Sequence, residues 1–304
     1  MQWGVAMERR NSEEQDHVFA NEVAKYCHIH DLQGLLMDSD NHFSAAVEAV
    51  ATRRDENVDW DTPVSLFSKD EVLAKIGIAN ALGVDFYVFF HKRGSETIQQ
   101  YQVTRASAQK GIGARRRAMP IMQFLNWWGE YKRTIQIKEC LRSRMRKAVA
   151  KSDFDNILEN YTIGLTDKGE PIKSGQKWGG NVDAFLSSDD GDYRPIAIIE
   201  NRFTEQNSIE DYDPSDYFAS DVSAWNPLFL AAKTLNIPLI LCVYSKRPGE
   251  RHKIAMAEID VNRSTDHLEY VNVPKPGENI LESKEAAKEW FDNVLCRWQN
   301  PMPA

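Results

Sequence analysis

With 304 residues, of which 42% are hydrophobic and 27% charged, the chain has a globular composition and enough length for one or two cores. No apolar run approaches the roughly 20 residues of a membrane span, and residues 1–15 are too polar for a signal peptide. The net charge of −8 argues against a uniformly basic polyanion binder, and four scattered cysteines without a Cys-x-x-Cys fit a reducing, cytoplasmic setting.

In chain order, Cys27-His28-Ile29-His30 is expected to be a helix end, since no second ligand pair with zinc spacing accompanies it. Residues 32–36 and 45–52 are short apolar runs. An apolar helix is predicted over 70–82, then strands over 85–93 and 97–103. Residues 106–117, small and basic, are expected to form a flexible loop able to follow a phosphate backbone. Pro120 suits a helix start, with Ile121, Phe124, Leu125, Trp128, Ile135 and Ile137 as its apolar face.

Charge is strongly sorted here. Residues 105–151 hold thirteen Lys and Arg against Glu130 and Glu139, a local net charge of +11 that leaves −19 elsewhere. Such sorting makes a positive field despite the acidic total. Lys110, Arg115, Arg116, Arg117, Arg142 and Arg146 are the expected nucleic-acid contacts. The competing reading is a solvated helix face beside a linker.

Further on, 181–186 and 195–203 read as two buried strands that each run up to a carboxylate, Asp183 and Glu200. The Ser-, Asp- and Gly-rich link 187–194 makes them a hairpin. Two carboxylates held close repel unless a cation lies between them, and oxygen ligands of this kind suit Mg²⁺ or Mn²⁺. A helix over 221–235 leads into a strand over 237–244, then a strand over 252–259 and an amphipathic helix over 283–298. Its inner face would carry Ala286, Trp290, Phe291, Val294, Leu295 and Trp298.

The pattern Asp183, then Glu200-Asn201-Arg202, followed by helix and strand, resembles the PD-(D/E)XK signature of restriction-endonuclease-like nucleases. The resemblance covers about residues 150–262. It implies Mg²⁺-dependent phosphodiester hydrolysis, DNA ahead of RNA, in restriction or antiphage defence, working as a homodimer or with a defence-complex partner. It also implies a metal held by Asp183, Glu200 and the backbone carbonyl of Asn201. Arg202 stands where the family usually has Lys. Arg cannot serve as a base, though it can stabilise phosphoryl charge. Either Arg202 keeps that half of the role, or Lys173 or Lys177 supplies a lysine, or the site is inactive. Lys177 is the catalytic candidate. The alternative function is a nuclease fold that only grips nucleic acid, or a structural subunit of a larger defence complex.

The first third of the chain reads as a second copy. Residues 45–52 parallel 197–204, which puts Glu48 at the place of Glu200, and 70–82 parallel 221–235. Gln33 then replaces Asp183 and Val50 replaces Arg202, so the first copy is expected to be a scaffold. The expected fold is α/β: two restriction-endonuclease-like lobes, with mixed central sheets flanked by helices. A degenerate lobe over 1–104 and a catalytic lobe over 151–304 are joined by a basic helical linker over 105–150.

Overall fold

The computed structural model describes residues 27–37, 41–52, 67–92, 97–106, 111–120, 123, 124, 127, 179–204, 208–211, 222–245, 247–250, 253–264, 268–271 and 280–299. The fold is α/β, with a mixed sheet in each of two compact units. The first unit comprises residues 1–8 and 32–181, the second 9–31 and 182–304. The second unit takes in the start of the first strand, Cys27 to Asp31.

The first unit is built from β1 (Cys27–Met37), β2 (Phe43–Thr52), α1 (Lys69–Ala81), β3 (Asp85–Lys92), β4 (Thr97–Ala106) and β5 (Gly111–Pro120). Its strands lie in the order β1-β2-β3-β4-β5. Only the β2–β3 pair is parallel, and α1 makes the crossover it requires. Ser68 caps α1 by accepting the Glu71 N–H at 3.1 Å. The core is Val47, Ile76, Val88, Phe89, Phe90 and their neighbours, all almost fully buried. Gly34 is needed at the β1–β2 contact, because a Cβ there would lie 2.7 Å from Cγ2 of its register partner Val47.

Two expectations are corrected in this unit. Cys27 to His30 begin a strand rather than end a helix. Residues 111–120, expected as the end of a loop and the start of a helical linker, form β5, paired with β4 along its whole length. Gly111, Gly113 and three arginines have little strand propensity, so the β4 ladder decides the conformation. Of the expected helix, Gln123, Phe124 and Trp127 are described as helical. Phe124 is buried, and Trp127 lies against Phe89 and Tyr87 at 5.1 and 5.2 Å between ring centroids.

The second unit contains β6 (Gly179–Ser188) from Val182 on, β7 (Pro195–Thr204), α2 (Val222–Leu235), β8 (Leu239–Ser245), β9 (Ile254–Ile259), β10 (Ile280–Leu281) and α3 (Lys284–Gln299). Its order is β6-β7-β8-β9-β10, and again only the second pair, β7–β8, is parallel. Strand, strand, helix, three strands, with the same senses, thus occurs twice in the chain. The registers agree as well. Gly34 faces Val47 and Ala184 faces Ile199; Glu48 lies beside Val88 and Glu200 beside Leu241. Each hairpin even breaks register at the same step, Leu36/Met37 and Leu186/Ser187.

One face of the second sheet packs on α3. Leu186, Ala197, Ile199, Ile240, Cys242, Tyr244 and Met256 meet Ala287, Phe291 and Val294, with Trp290 and Trp298 partly buried at the margin. Glu258 fastens the end of α3, accepting from Arg297 Nη2 and Trp298 Nε1, each at 2.6 Å. No described helix is long and apolar enough to cross a membrane.

Candidate metal centre

Asp183 and Glu200 come together because side chains alternate along β6 and β7. Ala184 and Ile199 are register partners and lie on the α3 face. Their outer neighbours Asp183 and Glu200 are therefore on the opposite face, towards α2. Arg202, two residues beyond Glu200, confirms that side: its guanidinium carbon lies 5.1 Å from the Trp225 ring centroid on α2. The expected hairpin holds, with Asp183 and Glu200 on adjacent strands.

Glu200 is 6% exposed. Its Oε1 receives Arg202 Nη2 at 2.9 Å. Asp183 Oδ2 accepts the Asn201 backbone N–H at 3.0 Å. Burial raises the Asp183 carboxyl above its ordinary range. The Asn201 N–H and the Arg202 charge pull the other way, and the charge of Asp31 on β1 adds to the rise. Asp31 was not foreseen as a neighbour, since only the tertiary fold brings it near.

Along the same two strands, Asn201 Oδ1, Arg202 Nε, Thr204 Oγ1 and Ser187 Oγ have no hydrogen-bond partner among the described residues. At the far end of β8, Glu250 accepts from Ser208 Oγ at 2.6 Å, Ser245 Oγ at 2.7 Å and the Ile209 N–H at 3.2 Å. The two serine hydrogen bonds above all hold its carboxyl down at about 2. Among the described residues, no group of three or more His, Cys, Asp or Glu is arranged as a metal site. A centre here would rest on two carboxylates, which Mg²⁺ accepts when waters complete its shell.

The same place in the first unit is filled differently. Glu48, 1% exposed, receives Lys75 Nζ of α1 at 2.8 Å. Lys75 is itself 1% exposed, and its ammonium also binds Glu71 at 2.8 Å and lies 5.0 Å from the Phe67 ring centroid. Sequence reasoning missed this lysine. The signal was available: Lys75 falls three residues after Val72 and four before Ala79, on the buried side of α1.

The expected nucleic-acid contacts divide. Arg115, Arg116 and Arg117 are exposed on β5, the last strand in its unit's order. Arg116 Nε donates to Gln99 Oε1 at 3.0 Å. By alternation Arg115 and Arg117 share one face and Arg116 takes the other. Lys110, Arg142, Arg146, Lys173 and Lys177 lie outside the described residues. No family model, no curated protein and no solved structure matches the chain.

Proposed function

We propose that the chain is a metal-dependent nuclease of the restriction-endonuclease-like PD-(D/E)XK kind, with one catalytic centre at Asp183 and Glu200. The observation that carries the reading is this pair on one face of adjacent strands, with Arg202 two residues on. The repeated strand, strand, helix, strand order supports it, because that is the core this nuclease class uses. DNA is the preferred substrate and restriction or antiphage defence the setting, both by analogy of fold.

Asp183, Glu200 and the Asn201 carbonyl would hold Mg²⁺. When bound, the ion supplies Lewis-acid polarisation of the phosphate and a nucleophilic water at neutral pH. The Arg202 guanidinium would face the charge that builds up on the phosphoryl oxygens. Trp225 beneath the guanidinium limits its rotamers, so less order has to be gained when phosphate arrives. The exposed arginines of β5 bind phosphate backbone without reading bases.

One observation favours the rival reading of a binding module: Arg202 already neutralises Glu200, much as Lys75 neutralises Glu48. Plasmid degradation with Mg²⁺, compared with the same reaction in chelator, separates the two. The nuclease reading predicts nicking that chelator abolishes; retained affinity without nicking would support the module. Changing Arg115, Arg116 and Arg117 together to Ala should weaken binding of unrelated sequences alike and flatten its salt dependence, since fewer counterions are released. A salt titration of a labelled duplex measures this, and unchanged affinity at every salt concentration would make β5 an ordinary solvated edge.

A further inference from the structure

Glu48 and Glu200 occupy equivalent places in the two units, and both are nearly fully buried. A buried carboxylate needs a close cation. In each unit one is present at hydrogen-bond distance, but from a different element. The first unit uses α1, through Lys75; the second uses β7 itself, through Arg202.

The two cations differ in how firmly they are held. The Lys75 side chain is 1% exposed and bound by two carboxylates as well as the Phe67 ring. The Arg202 side chain is 28% exposed. It lies over the Trp225 ring at 5.1 Å and near the Asp183 charge, but reaches Glu200 with one terminal nitrogen, and its Nε has no partner among the described residues. Both cations lie against a ring, but Lys75 is buried between two carboxylates, whereas Arg202 stands at the rim of its site with donor capacity left over.

We propose that Arg202 is a resident counter-ion of Glu200 that a divalent metal displaces, and that Lys75 is a permanent occupant of the same position in the first unit. The inference rests on the metal-nuclease reading of Asp183 and Glu200. A guanidinium and a divalent ion at one carboxylate repel each other strongly in a partly buried site. Metal arrival therefore favours release of the guanidinium from Glu200. Once released, its full donor fork can turn to a phosphate oxygen. Metal entry and readiness of the phosphate-binding arginine are then one event. In the first unit the exchange cannot occur, and Glu48 takes no metal.

The test is calorimetric titration of the full chain with Mn²⁺, using wild type, Arg202→Met, Arg202→Gln, Glu200→Gln and the Arg202→Gln/Glu200→Gln pair. Folding of each is checked by cooperative melting, and the two Arg202 variants guard against either one failing to fold. Removing the competing charge should tighten Mn²⁺ binding on the order of tenfold. Glu200→Gln should remove the site, and the pair should bind no better than Glu200→Gln alone. Equal or weaker binding by the folded Arg202 variants, with wild-type binding still dependent on Glu200, overturns the counter-ion role while leaving the metal centre standing. If no protein binds Mn²⁺ in a manner sensitive to Glu200, both the counter-ion role and the metal centre fall.

Discussion

Glu200→Gln should lower Mg²⁺-dependent nicking of supercoiled plasmid by on the order of 10³-fold, while Glu48→Gln should nick at close to the wild-type rate per folded molecule. Glu200 supplies half of the proposed carboxylate pair, and a neutral amide is a far weaker ligand for a hard cation. Glu48 sits in the equivalent place, but Gln33 stands where Asp183 would be, and Lys75 fills the space beside it. With one centre per chain, nicked circles should build up before linear product when plasmid is followed over time at low protein concentration. Activity lost in Glu48→Gln and kept in Glu200→Gln would mean that the roles of the two units are reversed.

Lys75→Met should destabilise the first unit by about 3–5 kcal/mol, the usual cost of removing one member of a buried ion pair. Met nearly matches the lysine stem in volume, so the loss comes from charge: Glu48 is left buried beside no ammonium, with Glu71 one helical turn away. Glu48→Gln alone should cost less, because Lys75 keeps Glu71. The double change Glu48→Gln/Lys75→Met should recover much of the loss, since replacing both members of a buried pair is often close to neutral. Urea melts followed by circular dichroism measure all three. A cost of less than about 1 kcal/mol for Lys75→Met would show that solvent reaches this carboxylate and that the cluster is not locked.

The elements that could be read from sequence were those whose local pattern and tertiary role coincide. β6 and β7 are apolar runs joined by Gly191 and Asp residues, and the turn uses Gly191 and Tyr193 at positive φ. β8 is continuously apolar and all seven of its residues are buried. The duplication could also be read, because buried positions in matching registers keep similar residues: Ala46-Val47-Glu48 and Ile198-Ile199-Glu200 lie equivalently on β2 and β7.

What was hidden depends on partners far away in sequence. β5 has the composition of a basic loop, and only its ten-residue ladder with β4 makes it a strand. Cys27 to His30 carry no strong strand signal of their own. Lys75 and Arg202 look alike as isolated cations in apolar surroundings. Their different lock on a carboxylate follows from the element each stands on, which a one-dimensional pattern does not carry. The placement of Asp183 and Glu200 on adjacent strands was legible, whereas the ion pair between Arg202 and Glu200 was not.

The most direct test of the central claim is a crystal of the full chain grown with Mn²⁺, with anomalous difference density collected at the manganese edge. One centre per chain predicts a single strong peak within inner-shell distance of Asp183 and Glu200, about 2.0–2.3 Å from their oxygens, and none beside Glu48, where the Lys75 ammonium remains. A peak at Glu48, or none at Asp183 and Glu200 at a saturating Mn²⁺ concentration, would contradict it.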